Sequence, residues 1–269
     1  MALDGIKLIA CDMDGTLLLN DARYPSPTIY EQVEQLAERG VPFFAASGRT
    51  HHSLAELFAP VADRIGYVCE NGAMAVMGGR VLTSRTMPRE LAMRLIEMVV
   101  EYPGAKVSVS GSRCIFLESK YPDFAEWQRR EVHNLVKVFD KPQDIDDEIL
   151  KIAFFIPPAQ QAACLAHFQR QIADIEGLTI VTSGADWLDF IPVGVDKGAA
   201  LAEAGRVLGI DPADMAAFGD NENDREMMEL VGHPFLMDPC NPSMLDIART
   251  RPALRRCVRV EDTLAELLA

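Results

Sequence analysis

The chain has 269 residues, 49% of them hydrophobic and 25% charged, which is room for one large domain or two modest ones with a real core and leaves no sign of disorder. Its formal net charge of -14 repels nucleic-acid phosphates and argues against a nucleic-acid partner. An acidic protein can still accept an anionic small molecule if a bound cation inverts the field locally.

The first third alternates strand and helix patterns. Residues 7–13 (KLIACDM) form a short apolar run that ends in acid. Residues 26–39 have helical spacing, with Ile29, Val33, Leu36 and Ala37 on one face and Gly40 as the stop. A second apolar run, 41–46, ends in Ser47-Gly48, and a helix is expected over 50–58. A third strand, 66–69, ends in Glu70-Asn71-Gly72, and 75–84 reads as a hairpin around Gly78-Gly79. Strand, helix, strand, helix, strand implies right-handed crossovers and a parallel sheet.

The middle changes character. A strongly amphipathic helix over 88–102 is followed by strands at 107–109 and 114–117 flanking Gly111-Ser112. A strand over 149–156, a helix over 160–173 and a strand over 178–182 complete an α+β unit with an antiparallel sheet, expected over residues 85–184. The first pattern then returns: strand 187–192, helix 197–208, strand 215–218, helix 222–231, short strands at 234–237 and 257–260, and a closing helix over 261–268. The expected architecture is α/β, a doubly wound parallel sheet with a Rossmann-like core. That core is split into 1–84 and 185–269 around the inserted unit.

Four clusters stand where apolar strands end, and in an open parallel sheet such loops converge on one crevice. In Asp12-Met13-Asp14-Gly15-Thr16, two close carboxylates repel, so the pair needs a cation, a shared proton, or both. Magnesium, a hard ion that takes oxygen ligands, suits the pair, and the other carboxyl can then carry a proton. An isolated D-x-D is more simply a solvated pair at a turn; the strand before it and Gly-Thr after it favour chemistry here. Ala46-Ser47-Gly48-Arg49 offers a hydroxyl and a helix start to a phosphate, or, more plainly, a helix cap that Ser47 or Thr50 serves equally. Lys197 is a point charge able to neutralise a phosphoryl group, although a lone lysine is usually an exposed one. Gly219-Asp220-Asn221-Glu222-Asn223-Asp224 holds three acids and two amides in six residues, more than a helix cap needs, and Asp220 is the candidate to complete a metal site with Asp12.

The order D-x-D-G-T, S-G-R, K-G, G-D-x-x-N-D resembles the haloacid dehalogenase-like phosphatases. The insertion between the second and third motifs, with C-E-N-G-A at 69–73 and D-F-I-P-V-G-V-D-K-G at 189–198, resembles the Cof-type branch, which carries a type IIB cap domain. The resemblance implies a magnesium-dependent phosphatase acting through an aspartyl-phosphate. Asp12 would be nucleophile and metal ligand. Asp14 would be general acid and base, with its main-chain carbonyl on the metal. Ser47, Gly48, Lys197 and Asn223 would hold the phosphoryl group, with Arg49 near the substrate. Asp220 would complete the metal site, and Asp224, Thr16 and Asn71 would support it. Two features depart from the family pattern: the prolines of Asp238-Pro239-Cys240-Asn241-Pro242, where the family usually runs Asn-Ala, and the lack of a glycine before the last helix.

The substrate expected from this resemblance is a small phosphorylated metabolite, a sugar phosphate first among them, with specificity set largely by the cap. A phosphomutase with the same core, or a receiver-like signalling module phosphorylated on aspartate, are the other readings of these residues. The six cysteines form no C-x-x-C pair, and the first residues are acidic with no long apolar run. A cytoplasmic protein with reduced thiols, no membrane segment and a monomeric or homodimeric state is therefore expected.

Overall fold

The computed structural model describes residues 3, 5–20, 22–182 and 186–269. In chain order the first stretch holds β1 (Leu8–Asp12), α1 (Pro27–Glu38), β2 (Phe43–Ala46), α2 (His51–Leu57), β3 (Ile65–Cys69), β4 (Met74–Met77) and β5 (Arg80–Ser84). Next come α3 (Arg89–Val100), β6 (Lys106–Gly111), β7 (Ile115–Glu118), α4 (Pro122–Arg130), β8 (Val136–Phe139), β9 (Ile149–Phe155), α5 (Pro158–Gln171), β10 (Leu178–Thr182) and β11 (Trp187–Pro192). The chain then adds α6 (Lys197–Leu208), β12 (Met215–Gly219), α7 (Arg225–Leu230), β13 (His233–Met237), α8 (Ile247–Thr250), β14 (Arg255–Cys257) and α9 (Val260–Leu268). The chain divides into two compact units, 1–84 with 196–269, and 85–195.

In the first unit, eight strands among the described residues form a sheet in the order β14-β13-β12-β1-β2-β3-β4-β5. The pairs from β14 to β3 are parallel, while β4 and β5 join as an antiparallel hairpin at the edge. Side chains alternate along β1: Ile9 and Cys11 pack with Ile29, Val33 and Leu264 of α1 and α9, whereas Leu8 and Ala10 pack with Leu201 and Met227 of α6 and α7. Burial on both faces is why β1, β2 and β12 read as continuous apolar runs rather than alternating ones. The sheet is doubly wound, as expected.

In the second unit the order is β10-β11-β9-β6-β7-β8, antiparallel except for the parallel pair β7–β8. Helices α3 and α5 cover one face through Leu95, Ile96, Val99 and Phe168, which meet Val107, Val109, Ile152 and Phe154. A parallel pair needs a crossover, and α4 supplies it, setting Ala125 on Ile115 and Leu117. Neither α4 nor β8 was anticipated from the sequence. Buried positions in α4 are only Ala125 and Gln128, too few to show a helical stripe.

One expectation is corrected. Residues 187–192 do not open the returning half of the core. As β11 they pair antiparallel with β9 and β10 and send Leu188 and Phe190 into the core of the second unit. A local hairpin partner claims the strand, and the second unit runs on to Val195. The expected boundary at 184/185 falls among residues 183–185, outside the described ones. Among the described residues, no helix is long and apolar enough to cross a membrane.

Candidate active site

The site is built on the carboxyl ends of β1, β2, β3 and β12 and the first turn of α6, all in the first unit. Strand β1 delivers Asp12, 5% exposed, into the crevice, while Cys11 before it turns to the opposite face and is fully buried. Burial holds the Cys11 thiol well above its ordinary pKa, so it is inert. After Asp12 the chain turns tightly, with the Met13 carbonyl accepting from the N–H of Leu17 at 3.0 Å and of Leu18 at 2.7 Å. Gly15 has φ +92°, and a Cβ there would stand 2.6 Å from Asp220 Oδ2. Both the backbone conformation and the approach of Asp220 require glycine. Thr16, 1% exposed, donates its hydroxyl to Asp220 Oδ1 at 2.8 Å.

At the end of β2, Ser47 is buried and accepts the Arg49 N–H on its hydroxyl oxygen at 3.2 Å. The cap of α2 is Thr50, whose Oγ1 accepts from the Ser53 N–H at 3.1 Å. That settles which hydroxyl caps the helix. Beyond β3, Glu70 and Asn71 both have left-handed backbone, φ +51° and +54°. Asn71 donates its N–H to the Ser47 carbonyl at 3.0 Å and accepts from Asn223 Nδ2 at 3.2 Å, and a Cβ on Gly48 would lie 3.1 Å from its amide. Ser47, Gly48, Asn71 and Asn223 therefore share one wall.

Lys197 opens α6, whose cap is Asp196, accepting the Ala199 N–H at 2.7 Å. The side chain is fully buried, so the simple reading of an exposed lysine is wrong. Its Nζ donates to Asp12 Oδ1 at 2.5 Å and to Asp224 Oδ1 at 2.6 Å. Asp224 is equally buried, and its second oxygen accepts the N–H groups of Asp220 at 3.0 Å and Asn221 at 3.1 Å. Asp224 thus holds both the lysine and the loop that carries Asp220.

Asp12, Asp220 and Asp224 each place a carboxylate oxygen within 4.8 Å of the others. Burial, then the Asp224 charge, raises the Asp12 carboxyl, and Lys197 opposes the rise. Burial and Asp224 also raise Asp220, against the Thr16 hydrogen bond. For Lys197, burial works to lower the pKa, but the two carboxylates win and hold it above its ordinary value. Three carboxylates face one ammonium, so the fully ionised cluster is short by two positive charges. An all-oxygen donor set with that deficit fits a hard divalent cation.

Asp14 lies elsewhere. Its carboxylate is largely exposed and paired bidentately with Arg49, Nε to Oδ2 at 3.0 Å and Nη2 to Oδ1 at 2.7 Å. The side-chain cluster adds Asp224, expected from the sequence only as a support, to Asp12 and Asp220; the part expected of Asp14 at the metal was its main-chain carbonyl. The Asp14–Arg49 pair joins loops 35 residues apart and has no local signature.

A family model for haloacid dehalogenase-like hydrolases matches residues 9–250. The 5-amino-6-(5-phospho-D-ribitylamino)uracil phosphatase YbjI of Escherichia coli K12 is 26% identical over 268 residues, covering 98% of this chain and 96% of that protein. The HMP-PP phosphatase of Cronobacter sakazakii is 27% identical over 261 residues, covering 94% and 92%. Among solved structures, the subclass IIB sugar phosphatase BT4131 has the same fold, with a TM-score of 0.75 at 18% identity over 97% of this chain and 98% of that one.

Proposed function

The chain belongs to the haloacid dehalogenase-like hydrolases, of the Cof type, and is a phosphatase; from that premise we propose that it hydrolyses a small phosphorylated metabolite through an aspartyl-phosphate on Asp12. The observation that carries this reading is the 2.5 Å contact from Lys197 to Asp12 in a buried pocket short of positive charge.

In the first step an Asp12 carboxylate oxygen attacks phosphorus and the bond to the leaving oxygen breaks, with Asp14 giving that oxygen its proton. In the second step Asp14 takes a proton from water, the water oxygen attacks phosphorus, and the Asp12–phosphorus bond breaks to release phosphate. Covalent catalysis divides one very slow displacement into two faster ones. Lys197 favours the ionised form of Asp12 against burial and faces the phosphoryl oxygens, while Ser47, Gly48 and Asn223 orient them. Asp14 is free for proton transfer once Arg49 leaves it, and an incoming phosphate is the natural competitor for that guanidinium. Magnesium, held by Asp12, Asp220 and the Asp14 main-chain carbonyl, would supply the missing positive charge.

A sugar phosphate is the class we favour. The E. coli relative is named as a phosphatase of 5-amino-6-(5-phospho-D-ribitylamino)uracil, whose ribityl chain is polyhydroxylated, and that supports a polyhydroxylated leaving group. The test is phosphate release from p-nitrophenyl phosphate and a panel of sugar phosphates, with magnesium or with EDTA. Magnesium-dependent release with a preference for sugar phosphates is expected. Isomerised sugar phosphate without net phosphate release would favour a mutase.

A further inference from the structure

We propose that Asn241 is a positioning residue for the cation site, acting through the loop that carries Asp220. The inference rests on the reading of Asp220 as a metal ligand.

The loop after β13 reaches the Asp220 turn at two points. Asn241 donates its N–H to the Asp220 carbonyl at 2.8 Å and its Nδ2 to Asn221 Oδ1, also at 2.8 Å. Asn221 Oδ1 in turn accepts the Glu222 N–H at 2.9 Å, at the head of the turn that ends in Asp224. Five residues on, Arg225 ties the far end: Nη2 donates to the Ser243 carbonyl at 2.9 Å and Nη1 to Asp246 at 2.9 Å. The Asp220–Asp224 turn is thus clamped to residues 241–246 on one side, as Asp224 clamps it to Lys197 on the other. Pro242 confines Asn241 to extended backbone, observed at φ -57° and ψ 128°, so the backbone from which Asn241 reaches Asn221 is already restricted by the sequence. The proline that departs from the family pattern therefore has a local task.

Asn241 also has a purely local role. Its Oδ1 accepts the Ser243 N–H at 3.1 Å and hydroxyl at 2.8 Å, capping the short turn 242–246. Substitution separates the two roles. Asn241→Ser keeps a capping oxygen but is too short to donate to Asn221, whereas Asn241→Ala loses both. The main-chain bond to Asp220 survives in each.

Magnesium titration of the EDTA-stripped full-length protein by calorimetry tests the inference, with thermal unfolding in EDTA as the control for folding. Outer-shell partners of metal ligands typically matter by about 10–100-fold in affinity. Asn241→Ser is expected to bind magnesium more weakly than wild type, by up to about tenfold, while unfolding close to the wild-type temperature in EDTA. Asn241→Ala is expected to bind as weakly and also to melt earlier. Wild-type affinity in Asn241→Ser would overturn the inference and leave Asn241 as a cap. A wild-type protein that binds no magnesium would instead overturn the metal reading on which the inference rests.

Discussion

Lys197 Nζ sits 2.5 Å from Asp12 Oδ1, with the lysine fully buried and the aspartate nearly so, although the two are 185 residues apart in the chain. The contact exists because α6 packs on the face of the large sheet that carries Leu8 and Ala10, which sets its first turn by the end of β1, and because the same ammonium is held by Asp224 at 2.6 Å. Removing the lysine leaves two buried carboxylates facing each other. Lys197→Met is expected to lower kcat by about 10²–10³-fold, the scale of losing one donor to developing charge. It is also expected to cost about 3–5 kcal/mol in EDTA, the scale for breaking a buried ion pair. Urea unfolding with and without magnesium checks the second figure, and the deficit should shrink when the cation is present.

Cation binding should itself stabilise the fold. At a hundredfold excess over the dissociation constant the gain is about 2.7 kcal/mol, so unfolding should move to higher temperature with magnesium and return with EDTA. Asp220→Asn should abolish most of that shift, measured by differential scanning calorimetry.

How much of this was legible depends on how local the cause is. Strands buried on both faces, such as β1 and β12, announce themselves as apolar runs, and their terminal acids mark the crevice. The motif residues Asp12, Ser47, Lys197 and Asp220 were all visible as strand-end or helix-start signals. Burial of Lys197 was not, since one residue carries no periodicity and its partners come from two distant loops. The Asp14–Arg49 pair and the Asn241 clamp are hidden for the same reason. Strand β11 was seen but given to the wrong sheet, because an apolar run does not name its partner, and here a hairpin with β10 decides it.

Gly15 is a sharp test of the close approach between the turn after β1 and Asp220. Gly15→Ala puts a methyl where Asp220 Oδ2 stands and forces a side chain onto φ +92°. The backbone term alone is about 1–2 kcal/mol. The variant should fold with lower stability and show a magnesium dissociation constant raised by at least about tenfold, since the displaced Asp220 is the proposed ligand.

The second unit carries its own pH dependence. Burial tends to raise the Asp147 carboxyl, but Ser112 Oγ at 2.6 Å, the Arg113 N–H at 3.0 Å and the Arg113 guanidinium outweigh it and hold the group below its ordinary value. A carboxyl depressed in the folded state stabilises above its unfolded pKa, about 3.9, and that stability is lost as pH falls through the lower folded value. Asp147→Asn should therefore cost stability at neutral pH, on the scale of about 1–3 kcal/mol for hydrogen bonds to a charged group, and the cost should fade as pH is lowered below about 4. Urea unfolding of both proteins from pH 7 to pH 3 reads the difference directly.

The central claim is that Asp12 takes the phosphoryl group. Its most direct measurement is rapid acid quench of Asp14→Asn during turnover of p-nitrophenyl phosphate, whose leaving oxygen departs without a proton from Asp14, followed by peptide mass spectrometry. With proton removal from water impaired, the peptide containing Asp12 is predicted to gain the mass of one phosphoryl group, and the gain to vanish when Asp12→Asn is added. A phosphorylated peptide from another part of the chain, or undiminished phosphate release by Asp12→Asn alone, would contradict the account.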